Sequence, residues 1–254
     1  MFAIIFGANG RNGINLQKIS ADERSDFKAV ALVDSSYQNK DVDSFCDANR
    51  YTCIDDVKER SDVLIDFSHH SCTPLICKWA EKTKTPLVIA TTGQSSDELD
   101  IVKNASKSVP IFKSANMSVG VGITCKLVEE AARNFSGADI EIVEAHHNKK
   151  LDAPSGTALM LAEAAKKCTG IAGRFVIGRN GQSERKSGDI GISSVRLGNI
   201  VGEHSVFLDN GFEQIEIRHV AHHRMLFAQG AVRAAEFITK QVPGLYTMED
   251  LLCS

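Results

Sequence analysis

"FAIIFGANGRNG", residues 2–13, is the stretch on which the fold turns. A short apolar run leads straight into Gly7, Gly10 and Gly13, spaced G-x-x-G-x-x-G, and "NGINLQKISAD" continues in a helical pattern. A run that is apolar on both faces reads as a buried strand of a parallel sheet. Glycines at its exit let a backbone approach a pyrophosphate, and the helix behind them offers N–H groups and a positive dipole end. The spacing departs from the common G-x-G-x-x-G, so a tight structural turn competes for the motif taken alone. Asp34 decides between the two readings. It closes the second strand, "FKAVALVDSS", about 20 residues after the loop, where a dinucleotide fold places the acid that binds a ribose 2′-OH. An acid there favours NADH, because the 2′-phosphate of NADPH would meet like charge. Arg11, inside the loop, is available to that phosphate, so both cofactors stay in play.

Outward from this stretch the same rhythm continues. "SDVLIDFS", "PLVIATTG" and "PIFKSANMS" read as the third, fourth and fifth strands, with helices over 73–84 and 97–107 between them. Strands alternating with helices imply a parallel sheet wound on both sides. The rhythm changes near Ser118. "VGVGITCKLVEEAARNF" is a helix, "DIEIVEAHH" a strand and "APSGTALMLAEAAKKC" a helix. Then "RFVIG", "GISSVRLG", "GEHSVFLD" and "EQIEIRHVAH" follow as strands without long helices between them. That order predicts a mixed or antiparallel sheet with helices on one face. The amphipathic "FAQGAVRAAEFITKQ" is expected to pack back on the first domain. The expected division is a dinucleotide-binding domain over 1–118, completed by 227–254, and a second domain over 119–226.

Composition narrows the class. The chain has 254 residues, 43% hydrophobic and 24% charged, the balance of an ordinary globular protein. Its formal net charge of −3 and lack of a basic run argue against nucleic acid as a partner. No apolar stretch approaches the roughly 20 residues that span a bilayer, and no signal peptide is expected ahead of the first strand. The seven cysteines, at 46, 53, 72, 77, 125, 168 and 253, form no C-x-x-C pair. They are expected to be reduced and mostly buried, with no metal role.

Chemistry gathers in "EAHHNKKLDAPSGTALMLAEAAKK", residues 144–167. Adjacent residues on a strand face opposite ways, so His146 and His147 cannot chelate one ion. The same geometry suits one imidazole for the reacting atoms and the other for a second part of a ligand. Histidine titrates near neutrality and lysine is cationic, so together they supply a proton and neutralise a carboxylate. "DAPSGT" opens a helix whose first turn holds Ser155, Gly156 and Thr157, an anion site in the making. Helix capping and a solvated basic surface explain the parts separately; a dianionic small molecule explains them together.

The block "EAHHNKKLDAPSGTA" resembles the signature of the dihydrodipicolinate reductase (4-hydroxy-tetrahydrodipicolinate reductase) family of lysine biosynthesis. "GANGRNG", "ATTG", "SANMSVGVG", "RLGNIVGEHSVFL" and "RMLFAQGAVRAAEFI" resemble further blocks, so the likeness covers most of the chain. It implies a Rossmann-type α/β domain with a doubly wound parallel sheet, and an α+β substrate and oligomerisation domain with a mixed sheet. It implies NADH or NADPH as cofactor, a small dicarboxylate substrate, a cytoplasmic location and a homotetramer built through the second sheet. By position, His146 matches the proton-donating histidine and Lys150 the catalytic lysine. His147, Lys150, Ser155, Gly156 and Thr157 match the substrate's carboxylate ligands. Gly7, Ala8, Asn9, Gly10, Arg11, Asn12, Gly13, Asp34, Ala90, Thr91, Thr92, Ser114, Ala115, Asn116 and Met117 match the cofactor lining.

Departures from the family pattern are few. Ala90 replaces the first glycine of Gly-Thr-Thr-Gly, and its methyl is expected to alter the approach to the nicotinamide. His222 and His223 stand where small hydroxyl residues are common. His69 and His70 follow the third strand, within reach of a nicotinamide ribose or simply in a loop. His204 and His219 fall in strands bordering the pocket and carry no assigned role. Two other readings remain at this point. One is a different Rossmann oxidoreductase acting on another amino-acid-derived acid; the other is a non-catalytic NAD(P)-binding protein, which would not need His146 and Lys150 together.

Overall fold

The computed structural model describes residues 1–38, 44–135, 137–169 (side chains to 167) and 174–254. Two compact units divide them: residues 1–118 with 225–254, and residues 119–224. The first unit begins with β1 (Phe2–Phe6), α1 (Arg11–Ala21), β2 (Lys28–Val33), β3 (Asn49–Tyr51) and β4 (Val63–Asp66). It continues with α2 (Thr73–Thr83), β5 (Leu87–Ile89), α3 (Ser96–Ala105) and β6 (Pro110–Lys113). The second unit holds α4 (Val119–Asn134), β7 (Asp139–His146), α5 (Gly156–Thr169), β8 (Phe175–Ile177), β9 (Ile190–Arg196), β10 (Gly202–Asp209) and β11 (Gln214–Ala221). The chain then returns to the first unit with α6 (Met225–Ile238), β12 (Gly244–Tyr246) and α7 (Met248–Cys253).

In the first unit all strands run parallel, in the order β12-β6-β5-β4-β1-β2-β3. The order reverses at β1, so the glycine loop leaves the sheet at the switch point where such folds bind ligands. Burial on both faces explains the uninterrupted apolar runs. Ile4, Leu64, Leu87 and Ile111 pack with Ile76 and Trp79 of α2 and Val102 of α3. On the other face Phe112 meets Phe237 of α6 edge-on, with ring centroids 6.2 Å apart. Each such side chain contributes about 1.5–3 kcal/mol on burial. The helices between the strands carry their own start signals. Ser95 and Glu98 form a reciprocal capping box at α3, with Glu98 N–H donating to Ser95 Oγ at 3.2 Å and Ser95 N–H to Glu98 Oε2 at 2.7 Å.

The sequence reading expected five strands here; the sheet has seven. β3 and β12 are three residues each, too short for a period of two to register. The C-terminal segment is a helix, a strand and a helix, where one helix over 227–254 was expected. The cysteine expectation is also corrected: of the six described thiols only Cys77 is buried, although none is in a disulfide. The Cys168 thiol lies outside the described residues.

The second unit's sheet has the order β11-β10-β7-β9-β8. β10 is antiparallel to β7 and β11, whereas β9 is parallel to β7 and β8, so the sheet is mixed. Ile140, Ile142, Val206 and Leu208 form a core with Val128 of α4 and Ala158, Leu161 and Ala165 of α5. The helices cover one face; Val143 and Val195 remain exposed on the other. β7 alternates strictly, so Glu144 and His146 continue the buried stripe begun by Ile140 and Ile142. Two polar residues therefore lie where the pattern calls for apolar ones. No helix among the described residues is long and apolar enough to cross a membrane.

Candidate active site

In the first unit, the loop after β1 is shaped by its glycines. Gly7 has φ +77°, and a Cβ on it would lie 2.6 Å from the Phe67 carbonyl oxygen. A Cβ on Gly13 would lie 2.4 Å from the Gly7 oxygen, so the helix start could not fold back over the loop. Gly10 is the N-cap of α1 and supplies no side-chain cap, leaving the helix N-terminus, with exposed Arg11 as its first residue, to an anion. Asn12 Oδ1 beside it is buried without a partner. Asp34 accepts the Asn9 N–H at 3.0 Å and the Ser36 hydroxyl at 2.6 Å, while Asn9 Nδ2 donates to Ser36 Oγ at 2.9 Å. Loop and acid are thus one hydrogen-bonded assembly. These features fit a dinucleotide: an uncapped helix start, glycines admitting close backbone approach, and an acid at the end of β2.

The loops after β4, β5 and β6 leave the same edge of the sheet. Ala90 N–H donates to the Asp66 carbonyl at 3.0 Å, and Ala90 has no positive φ, so its methyl imposes no backbone strain. Ala8 and Thr91 are buried, and Thr92 and Ala115 are exposed. Asp66, at the end of β4, is fully buried. Burial raises its pKa, against hydrogen bonds from Ser68 and Thr91. Ser114 Oγ donates to the Asn116 carbonyl at 2.7 Å and holds the loop after β6. Met117 is only 2% exposed, its carbonyl set against Gly230 of α6, so its side chain packs the core. His70 Nδ1 lies 2.9 Å from Glu98 Oε2 and His69 Nδ1 2.9 Å from Ser71 Oγ, so both imidazoles brace this loop region.

In the second unit, the register of the sheet gathers the chemistry. β7 places His146 opposite Arg196 of β9 on one side and Glu144 opposite His204 of β10 on the other. The Glu144 carboxylate is fully buried. Arg196 grips it with both terminal nitrogens, at 2.9 and 2.8 Å, and Ser155 N–H donates to it at 3.2 Å. His146 Nδ1 lies 2.5 Å from its Oε2. Burial alone would raise the Glu144 pKa, but Arg196, Ser194 and His146 outweigh it and hold the group at about 2. His146 is lowered, first by burial and then by Lys150 and Arg196, against the pull of Glu144. Its ring meets His204 edge-on at 5.2 Å. Burial, aided by His146, drives His204 down to about 4. His219 follows in the next strand, its ring 6.5 Å from His204 and its pKa lowered by burial.

Lys150 pairs with Asp152 at 2.8 Å, and that contact lowers the Asp152 pKa. His147 is half-buried, its N–H held by the Ile200 carbonyl at 2.8 Å. At the start of α5, Gly156 is exposed and Thr157 half-buried. Ser155 is already engaged within the cluster. Its hydroxyl caps the Ala158 N–H at 3.2 Å and meets His204 Nε2 at 3.1 Å, and its N–H serves Glu144, so it braces the cluster from within.

Glu144, His146 and His204 bring ligand-type atoms within 4.8 Å of one another, a grouping that adjacent-residue reasoning on His146 and His147 did not consider. Arg196 already compensates the only carboxylate there, and Lys150 adds a second cation, so the arrangement favours proton and anion chemistry. Sequence reasoning also missed the parts played by Glu144, Arg196, Asp152 and His204. Glu144 carried a readable signal, since a period of two sets it on the same face as Ile142 and His146. Arg196 and His204 carried none, because only strand register brings them to β7.

Comparison with known proteins agrees with this picture. The family model described as dihydrodipicolinate reductase, N-terminus, matches residues 1–117, and that described as dihydrodipicolinate reductase, C-terminus, matches residues 120–252. The 4-hydroxy-tetrahydrodipicolinate reductase of Caldanaerobacter subterraneus subsp. tengcongensis is 48% identical over 250 residues, covering 98% of this chain and 97% of that one. The protein of the same name from Methanosarcina barkeri is 40% identical over 260 residues, covering 98% and 97%. The solved structure of a dipicolinate-bound dihydrodipicolinate reductase from Paenisporosarcina sp. TG-14 has the same fold, with a TM-score of 0.81 at 21% identity over 97% of each chain. With both halves matched in order and relatives this similar along nearly its whole length, the chain belongs to the dihydrodipicolinate reductase family.

Proposed function

We propose that this protein reduces 4-hydroxy-tetrahydrodipicolinate to tetrahydrodipicolinate with NADH or NADPH, releasing water, in the diaminopimelate route to lysine. The observation that carries the reading is the buried Arg196–Glu144–His146 array beside Lys150 and the start of α5. It combines a proton-transferring imidazole with cations and helix N–H groups suited to a dicarboxylate. When bound, the nicotinamide supplies the hydride. The chain's own groups do the rest. The glycine loop from Gly7 to Gly13 takes the pyrophosphate, Asp34 the adenosine ribose, and the loops at 90–92 and 114–116 the nicotinamide end. Lys150 exchanges its partner Asp152 for a substrate carboxylate, joined by His147 and the first turn of α5 at Gly156 and Thr157. His146 and Lys150 handle the proton that completes reduction, a contribution of roughly 10²–10⁴ in rate.

The reading extends to a cytoplasmic homotetramer assembled through the open face of the five-stranded sheet, where Val143 and Val195 are exposed. The deciding assay follows NADH, then NADPH, with substrate made freshly by a coupled dihydrodipicolinate synthase. Substrate-dependent oxidation is expected. Folded, NADH-binding protein that shows none would turn attention to another amino-acid-derived acid as substrate.

A further inference from the structure

The reductase reading gives His146 a proton transfer, and the following inference rests on it. We propose that Glu144 and Arg196 are positioning residues for that transfer: Arg196 fixes the Glu144 carboxylate, the carboxylate fixes a proton on His146 Nδ1, and Nε2 is left as the exchanging atom in front of Gly202.

The tautomer follows from elimination. A guanidinium has donors only, and each of its terminal nitrogens donates to one oxygen of Glu144, so both carboxylate oxygens act as acceptors. Ser155 N–H adds another donor to Oε1. The oxygen facing His146 Nδ1 at 2.5 Å is thus an acceptor, and Nδ1 must carry the hydrogen. The other ring nitrogen has no such partner. His204 lies edge-on to the ring, but its Nε2 is engaged with Ser155 Oγ. A Cβ on Gly202 would lie 3.1 Å from His146 Nε2, close enough that one of the two would have to give by a few tenths of an ångström. Gly202 has no positive φ, so the requirement is for space.

The charged and titratable groups facing His146 come from four places: Glu144 on its own strand, Arg196 on β9, His204 on β10 and Lys150 in the following loop. Asp152 stands behind Lys150 and His219 behind His204. Burial and the two cations favour the neutral ring, and Glu144 favours the imidazolium. A bound dianion adds charge of the same sign as Glu144, so proton gain at Nε2 is coupled to substrate arrival. Arg196 also donates to the Asp152 carbonyl at 2.6 Å, tying the array to the loop that carries Lys150.

The first test needs no variant. Long-range ¹H–¹⁵N spectra of the full-length labelled protein should give the Nδ1–H tautomer for His146; an Nε2–H tautomer overturns the proposal. In Glu144→Gln the amide oxygen falls at the Oε1 place, where Arg196 Nη2 and Ser155 N–H both donate, so its NH₂ group takes the Oε2 place against Nδ1 and should drive the proton to Nε2. The tautomer signal should invert, and kcat should fall by about 10²–10⁴ with KM for substrate little changed. Glu144→Asp, which keeps the charge, should restore part of kcat. A merely structural role predicts reduced stability with unchanged kcat and pH profile in the folded fraction, and that result overturns the assignment. Gly202→Ala should lower kcat while leaving the tautomer as in the parent; full activity would remove Gly202 from the scheme. Absence of substrate-dependent NAD(P)H oxidation in the parent protein would overturn the reductase reading and the catalytic half of the proposal. The spectra still decide the tautomer independently.

Discussion

His204 and Glu144 tie the stability of the second unit to pH in one direction. The His204 ring stays neutral in the fold down to about pH 4, whereas an unfolded histidine takes a proton near 6.5. Glu144 stays ionised down to about pH 2, whereas an unfolded glutamate protonates near 4.5. In both windows the unfolded chain binds more protons, so stability is complete above about 6.5 and declines as pH falls. Each shift corresponds to on the order of 3 kcal/mol. The urea midpoint should therefore drop from pH 6.5 toward 4 and continue to drop below it. His204→Phe should flatten the upper part of that curve; an unchanged curve would refute the assignment to His204. Glu144 could have been read as buried from the alternation of β7, but its ion pair could not, since Arg196 is more than fifty positions away and arrives by register. Ala90 has no positive φ, so Ala90→Gly should lower stability by about 0.5–1 kcal/mol through chain entropy, and a shift in cofactor KM in steady-state assays would report the expected effect of its methyl on the approach to the nicotinamide.

Helices and loops were legible where their signals are local. The glycine loop, the helix behind it and the capping box of α3 are all written in adjacent residues. Close approach between elements was not. Gly230 lies within α6, where a glycine ordinarily weakens a helix. A Cβ there would fall 1.7 Å from the Met117 carbonyl oxygen, so its bareness lets α6 reach the loop after β6. Gly230→Ala should cost about 1–3 kcal/mol despite the better helix propensity, visible as a lower thermal midpoint. A raised midpoint would mean that propensity outweighs the contact. Ser155 is similar. Its place before a helix pointed to anion binding, whereas its hydroxyl serves Ala158 and His204, so Ser155→Ala should loosen the start of α5 by about 1 kcal/mol or somewhat more.

On the scale of the whole molecule, two sheets of different construction divide the labour. The parallel sheet is covered on both faces and reads as plain apolar runs. The mixed sheet is covered on one, which leaves Val143 and Val195 exposed on the other, the face proposed above for a partner copy. Analytical ultracentrifugation should give four times the chain mass of 27.6 kDa, and paired Val143→Asp and Val195→Asp substitutions should reduce it. A parent protein that sediments as a monomer would end the tetramer proposal. The ratio of NADH to NADPH oxidation rates belongs to the same scale. Asp34 accepts from Asn9 and Ser36 and so is held at the end of β2, the place proposed for the ribose, and Asp34→Ala should shift the ratio toward NADPH.

By itself the sequence determined the class of both sheets, the glycine loop with the acid that follows it, the family, and the crowded segment that begins at the end of β7. Each of these is carried by neighbouring residues or by a simple period, which are properties of the chain as a line. Tertiary structure alone decided that Arg196 clamps Glu144, that Glu144 meets His146, that His204 occupies Ser155, and that Gly202 leaves room at Nε2. Those contacts join residues far apart along the chain. Strand pairing brings them together, and burial away from water gives their charges and protons the fixed arrangement that an exposed segment could not hold.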